Sequence, residues 1–178
     1  MRMITSVSER CNNIATFRHI SVWLMETVAR WTPITPEMEA KVMFGRHIWD
    51  FAQMADALGK RTFELRQPEQ YSLRPVEAYD VLLQDVTKAK STSERIATLY
   101  EGLIPGLIAR YKAYMAATDP ILDEPSIVIV ERIVRELERQ RGEAAQLQKE
   151  LKLELPSTAA IAAREKAIGN IVAEQVSA

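Results

Sequence analysis

Cysteine occurs once in this 178-residue chain, at Cys11, so no internal disulfide can form. A lone thiol fits a reducing compartment, and a cytoplasmic location is the expectation. Cys11 has no evident base beside it, so a structural thiol is expected. Glycine is scarce, with 6 residues, which leaves few places for sharp bends. No apolar run approaches the roughly 20 residues that span a bilayer. The first residues lack the basic segment and apolar core of a signal peptide, so none is expected. Charge of neither sign dominates: 23 Lys and Arg face 24 Asp and Glu, a formal net charge of −1. That excludes a global attraction to nucleic acid or to an anionic membrane. Chemical signatures are missing as well. There is no Gly-rich phosphate loop, no GxSxG, no paired-Cys metal pattern and no HExxH. Strand-like alternation, internal repeats and low-complexity segments are also absent.

What remains is helical periodicity. A hydrophobic fraction of 47% with 26% charge suits one globular domain with a sizeable core. The clearest helix starts at Thr35, a cap residue, with Pro36 in the first helical position and Glu37 and Glu39 in the first turn. Ala40, Met43, Phe44, His47, Phe51, Met54 and Leu58 form its apolar stripe, and Gly59 reads as its stop. A first helix is expected over Glu9 to Trp31, with Ile14, Phe17, Ser21, Leu24, Val28 and Trp31 inward. Thr32-Pro33 ends it, and the short link to Thr35 favours antiparallel neighbours.

Lys60 to Arg74 reads as an exposed crossover, followed by a short helix from Ser72–Pro75 carrying Val76, Tyr79, Leu82, Leu83 and Val86. Ser91-Thr92-Ser93-Glu94 matches a capping box and opens a third long helix reaching Ala117. Pro105-Gly106 inside it should kink the helix near Glu101 and Gly102. Asp123 or Glu124 caps a fourth, with Ile127, Val130, Val134 and Leu137 inward and an outer face that includes Arg135, Arg139 and Glu143; it can reach Leu155. Pro156 divides the bundle, 1–155, from a tail, 156–178. In the tail a helix from Thr158 to Gln175 presents Ile161, Ile168, Ile171 and Val172. That face should dock on the bundle or on a second subunit.

One constellation carries chemistry. Glu26 lies on the first long helix, His47 and Asp50 on the second, Glu101 on the third and Glu131 on the fourth. Carboxylates that bridge ions, with imidazole completing the coordination, are what a dinuclear iron or manganese site needs. Each also has a plainer reading. His47 can be a hydrogen-bonded core residue, Glu101 a buried acid paired by Arg110 or another helix, and Glu26 and Glu131 surface ion-pair members. Trp23, Trp31 and Trp49 read as core or interface anchors.

Four long helices, a crossover between the second and third and one acid per helix resemble the ferritin-like superfamily, over roughly Glu9 to Leu155. The resemblance implies an all-α, antiparallel four-helix bundle and a metal-dependent oxidoreductase or oxygenase. The family's Glu-x-x-His pairs have no counterpart here: Phe44 stands three residues before His47 and Thr16 three before His19. That leaves an all-carboxylate site, a site with one histidine, or a bundle without metal. Two non-metal functions compete. One is a non-catalytic module that forms homo-oligomers or binds a partner protein. The other is a small-molecule pocket lined by Met43, Met54 and the tyrosines.

Overall fold

Ser6 opens the first helix with a reciprocal cap. Its hydroxyl accepts from the Glu9 N–H at 3.1 Å, and the Glu9 carboxylate accepts from the Ser6 N–H at 2.7 Å. That box starts α1 at Val7, two residues before the expected Glu9. In the computed structural model, which describes residues 6–65 and 71–173, α1 spans Val7–Trp31, α2 Met38–Glu64 and α3 Glu77–Thr87. Next come α4 (Thr92–Ile96), a π-helix (Ala97–Leu103), α5 (Ile104–Ala117), α6 (Glu124–Glu150) and α7 (Ala159–Ala167). Among the described residues the fold is all-helical; the single β-type contact is an isolated bridge between Pro75 and Val172. No helix among them is long and apolar enough to cross a membrane.

Side-chain contacts fix which helix ends meet. Trp31 and Phe44 approach at 6.4 Å beside the α1–α2 link. Between α2 and α6, His47 meets Glu143, Asp50 meets Arg139, and Arg61 meets Asp123 and Ser126, so numbers rise along one helix as they fall along the other. α5 and the π-helix pair with α6 in the same sense: Glu101 with Arg141, Lys112 with Glu138, Tyr114 with Asp123. Phe17 of α1 meets the rings of Tyr111 and Tyr114 edge-on, at 4.5 and 5.6 Å. The expected inward stripe of α2, from Ala40 to Leu58, is buried throughout.

Several boundaries differ from expectation, each for a local reason. Thr35 does not cap α2. Its hydroxyl donates to the Trp31 carbonyl at 2.8 Å and accepts from Arg95 at 2.8 Å, and Glu37 takes the cap position while its carboxylate accepts from Thr92 and makes no cap bond to the helix. Gly59 does not stop α2, which continues to Glu64; a Cβ there would lie 2.8 Å from the Tyr71 ring, so the glycine serves close packing. The expected exposed crossover therefore shortens at its start. Its 66–70 stretch lies outside the described residues. Ser91 caps α4 as expected, accepting from the Glu94 N–H at 3.1 Å, but the Glu94 carboxylate reaches the Lys90 N–H instead of the cap residue.

Pro105 acts through a π-helix. The Ile104 N–H bonds the Leu99 carbonyl five residues back, which widens the turn ahead of the proline that lacks a donor. α6 stops at Glu150, not Leu155, and Lys152 turns the chain with a left-handed φ of 51°. In the tail the helix ends at Ala167; Ile168, Ile171 and Val172 follow in non-helical backbone, and Gln175 lies outside the described residues. The tail folds back onto its own chain. Ile171 is buried, and its carbonyl accepts from the Val76 N–H at 2.9 Å. Gly106 provides the seat: a Cβ there would fall 2.0 Å from the Glu165 carboxylate.

Candidate functional site

His47 stands on the inward stripe of α2 with 0% exposure, and both ring nitrogens are engaged. Nε2 lies 3.1 Å from Glu143 Oε2 and Nδ1 lies 2.7 Å from the Tyr100 hydroxyl. An ionised carboxylate only accepts, so Nε2 carries the proton and donates; Nδ1 then accepts from the Tyr100 O–H. The π-helix places Tyr100 and α6 places Glu143, so three elements converge on one imidazole. Burial lowers the His47 pKa, opposed by the hydrogen bond and charge of Glu143. Burial pushes the Tyr100 phenol well up, helped by the charges of Glu143 and Asp50. Burial would raise the Glu143 carboxyl too, but the bonds from His47 and Arg139 outweigh it and the net shift is downward. The chain Tyr100–His47–Glu143 is therefore neutral, neutral and anionic, with the proton held on the phenol.

Arg139 is the outer hub. It bonds Glu143, holds Asp50 at 2.6 Å and Glu136 at 2.8 Å, while Arg46 reaches Glu143 at 3.2 Å and Gln140 reaches Asp50 at 3.2 Å. The cluster ties α2 to α6 and to the π-helix. It presents no free base: the imidazole has no open lone pair, and the phenol is fully buried.

Of the five residues expected to hold metal, the structure brings His47 and Asp50 into one cluster and leaves Glu26, Glu101 and Glu131 outside it. Glu26 is exposed and lies 3.9 Å from Arg30 on its own helix. Glu131 is exposed on α6. Glu101 is held at 3.2 Å by Arg141, not by Arg110. Asp50 belongs to Arg139 and Gln140, and His47 to Tyr100 and Glu143. Among the described residues no group of three or more His, Cys, Asp or Glu is gathered as a metal site requires. As placed, His47 and Asp50 of the set lie beside Glu143, and their hydrogen bonds go to protein groups. Tyr100, Glu143 and Arg139 are the partners that sequence reading missed. The available signal was that an inward imidazole needs a partner for each nitrogen, one of them an acid from a neighbouring helix.

His47→Ala leaves the Tyr100 hydroxyl unpaired and a hole in the core, and lowers stability by about 3 kcal/mol or more. Metal content per chain stays equal in parent and variant. Because the folded pKa is depressed, the parent's neutral His47 stabilises fully above the unfolded value of about 6.5 and less as pH falls through the folded value. The variant lacks this slope, which urea melts between neutral and mildly acid pH will show.

A second feature lies outside this cluster. Three adjoining hollows follow the α2–α6 seam. The first runs from Met38 and Glu150 to Arg139, the next surrounds Gly45, and the last reaches Ala57 and Val128. Met38 (66% exposed), Val42 (57%), Trp49 (66%) and Val128 (52%) rim them. Trp31 is a core anchor, whereas Trp49 points to solvent. Met43 lines the first of these hollows and Met54 the last, and no tyrosine lines either of the two. No family model, curated protein or solved structure matches this chain.

Proposed function

We propose that the chain is a four-helix bundle of ferritin-like topology whose function is protein association through its α2–α6 face. The order of contacts supports the bundle. α2 and α6 run against each other, as do α6 and the α4–α5 arm, and the link from Glu64 to Ser91 returns the chain to the end where α2 began, since Arg95 meets Thr35. The observation that carries association is the seam itself: connected hollows rimmed by four exposed apolar side chains, one of them a tryptophan. Large exposed apolar patches with polar surrounds mark interaction sites, and tryptophan is a common anchor in them. The interior cluster then serves to hold the two helices of the face in register. One buried thiol suits a cytoplasmic setting.

A metal-dependent oxidoreductase or oxygenase is the second reading. It draws on the bundle topology and on Asp50 and Glu143 lying near His47. Among the described residues no three such ligands are gathered in one place.

A photo-crosslinking amino acid at position 49 tests the first reading in cells. It should give a discrete protein adduct that the same group at the exposed Ala163 of α7 does not give. Equal or absent adducts at both positions would contradict it.

A further inference from the structure

The partner of the α2–α6 face is identified by how its charge is distributed. This step rests on the association reading above. At the Met38 end of the seam stand Glu39, for which no basic partner is found among the described residues, and Glu150, which accepts from the amide of Gln146. At the Val128 end stand Arg132 and Arg135, for which no acidic partner is found among the described residues. Between these ends Arg46 and Arg139 are paired with Asp50, Glu136 and Glu143, which leaves a single negative charge over in the middle. One end is therefore anionic, the other cationic, and the middle is apolar or internally paired.

Such a surface is complementary to itself when one copy is turned by 180°. The spacing agrees. Along α2, Glu39 precedes His47 by eight residues, about 12 Å at 1.5 Å per residue. On α6, the contacts His47–Glu143 and Asp50–Arg139 set the register. Glu150 then lies about 11 Å from the His47 level on the anionic side, and Arg135 and Arg132 about 12–17 Å on the cationic side. An axis passing near that level brings the acids of each copy over the arginines of the other. It also lays Trp49 of each copy beside the partner's copy of Gly45, where nothing lies within 4 Å of the Cβ position.

We propose that the occupant of this face is a second copy of the chain, in a two-fold dimer seated on α2 and α6. Isologous pairing of one patch with itself is the commonest symmetric arrangement.

Sedimentation velocity on the full chain, over a wide concentration range, tests this. The parent should reach twice the chain mass in a concentration-dependent way. Glu39→Lys with Glu150→Lys should weaken the dimer about tenfold or more, and so should Arg132→Glu with Arg135→Glu. All four residues are exposed, and circular dichroism will confirm that both variants keep the parent's helix content. Mixing the two variants should restore a dimer, because each end then meets the opposite charge twice. A parent that stays monomeric at every concentration overturns the proposal, as does a dimer that ignores both reversals, or a mixture that fails to associate. The failures are separable. An adduct at position 49 to a different protein defeats the two-fold dimer and leaves the association reading standing; no adduct defeats both.

Discussion

Asp123→Ala lowers the stability of the fold by about 3–5 kcal/mol, the cost of removing one member of a buried ion pair. Asp123 precedes α6 and is fully buried, yet it makes no side-chain cap to that helix. Its carboxylate instead accepts from Arg61 at 3.2 Å, Ser126 at 2.6 Å, Tyr114 at 2.5 Å and Thr118 at 2.8 Å. Those donors come from α2, α6 and the end of α5, so one carboxylate locks three elements at one end of the molecule. Truncation leaves the Arg61 guanidinium without its buried charge partner and three hydroxyls without their acceptor. Burial works to raise the Asp123 pKa, but the bonds from Ser126, Tyr114, Thr118 and Arg61 outweigh it and hold it low. A depressed folded value means stability that is full above the unfolded pKa, about 3.9, and lost as pH falls through the folded one. Denaturant melts should therefore show the gap between parent and Asp123→Ala at neutral pH and its narrowing in strong acid. A gap that is small at neutral pH, or unchanged by acid, would contradict the assignment.

Arg110→Ala should cost about as much, 3 kcal/mol or more, because it strands the acid of another buried pair. Arg110 donates to Glu165 Oε1 at 2.5 Å and to the carbonyls of Glu165, Ile168 and Gly169 at 2.6, 2.6 and 2.7 Å. The side chains of Arg110 and Glu165 are 16% and 5% exposed. One guanidinium thus holds the end of α7 and the extended run that follows it. Its loss should release the tail, seen as a lower melting temperature and faster proteolysis after Leu155. Arg110→Lys should recover little, since an ammonium cannot serve several acceptors in the fixed fork geometry of guanidinium. An unchanged digestion pattern would show that the tail is held by other contacts.

How far the sequence alone leads can be read from particular residues. Period 3.6 patterning located every long helix, because the stripes of α1, α2 and α5 are strong and the core they build is continuous. Ends were less legible. Thr35 and Asp123 look like caps, but each spends its oxygen on a distant partner, Arg95 and Arg61, which local pattern cannot reveal. Gly59 and Gly106 look like a stop and a kink companion, and are instead seats for Tyr71 and Glu165. The same limit governs the site. His47 was legible as an inward imidazole. Glu143 was not, since it sits on the charged outer face of α6 and reaches inward past the edge of the helix. Acids on four helices were visible in sequence, but their facing depends on rotation about each helix axis, and here Glu26 and Glu131 turn to solvent.

If function resides on the α2–α6 face, that face is covered in cells. Hydroxyl-radical footprinting tests it most directly, comparing intact cells with the dilute purified chain. Met38 and Trp49 should be labelled in the dilute chain and protected in cells, while Phe63 and Ile121, at least as exposed and off the seam, should be labelled in both. Equal labelling of Trp49 and Met38 in the two settings would contradict it.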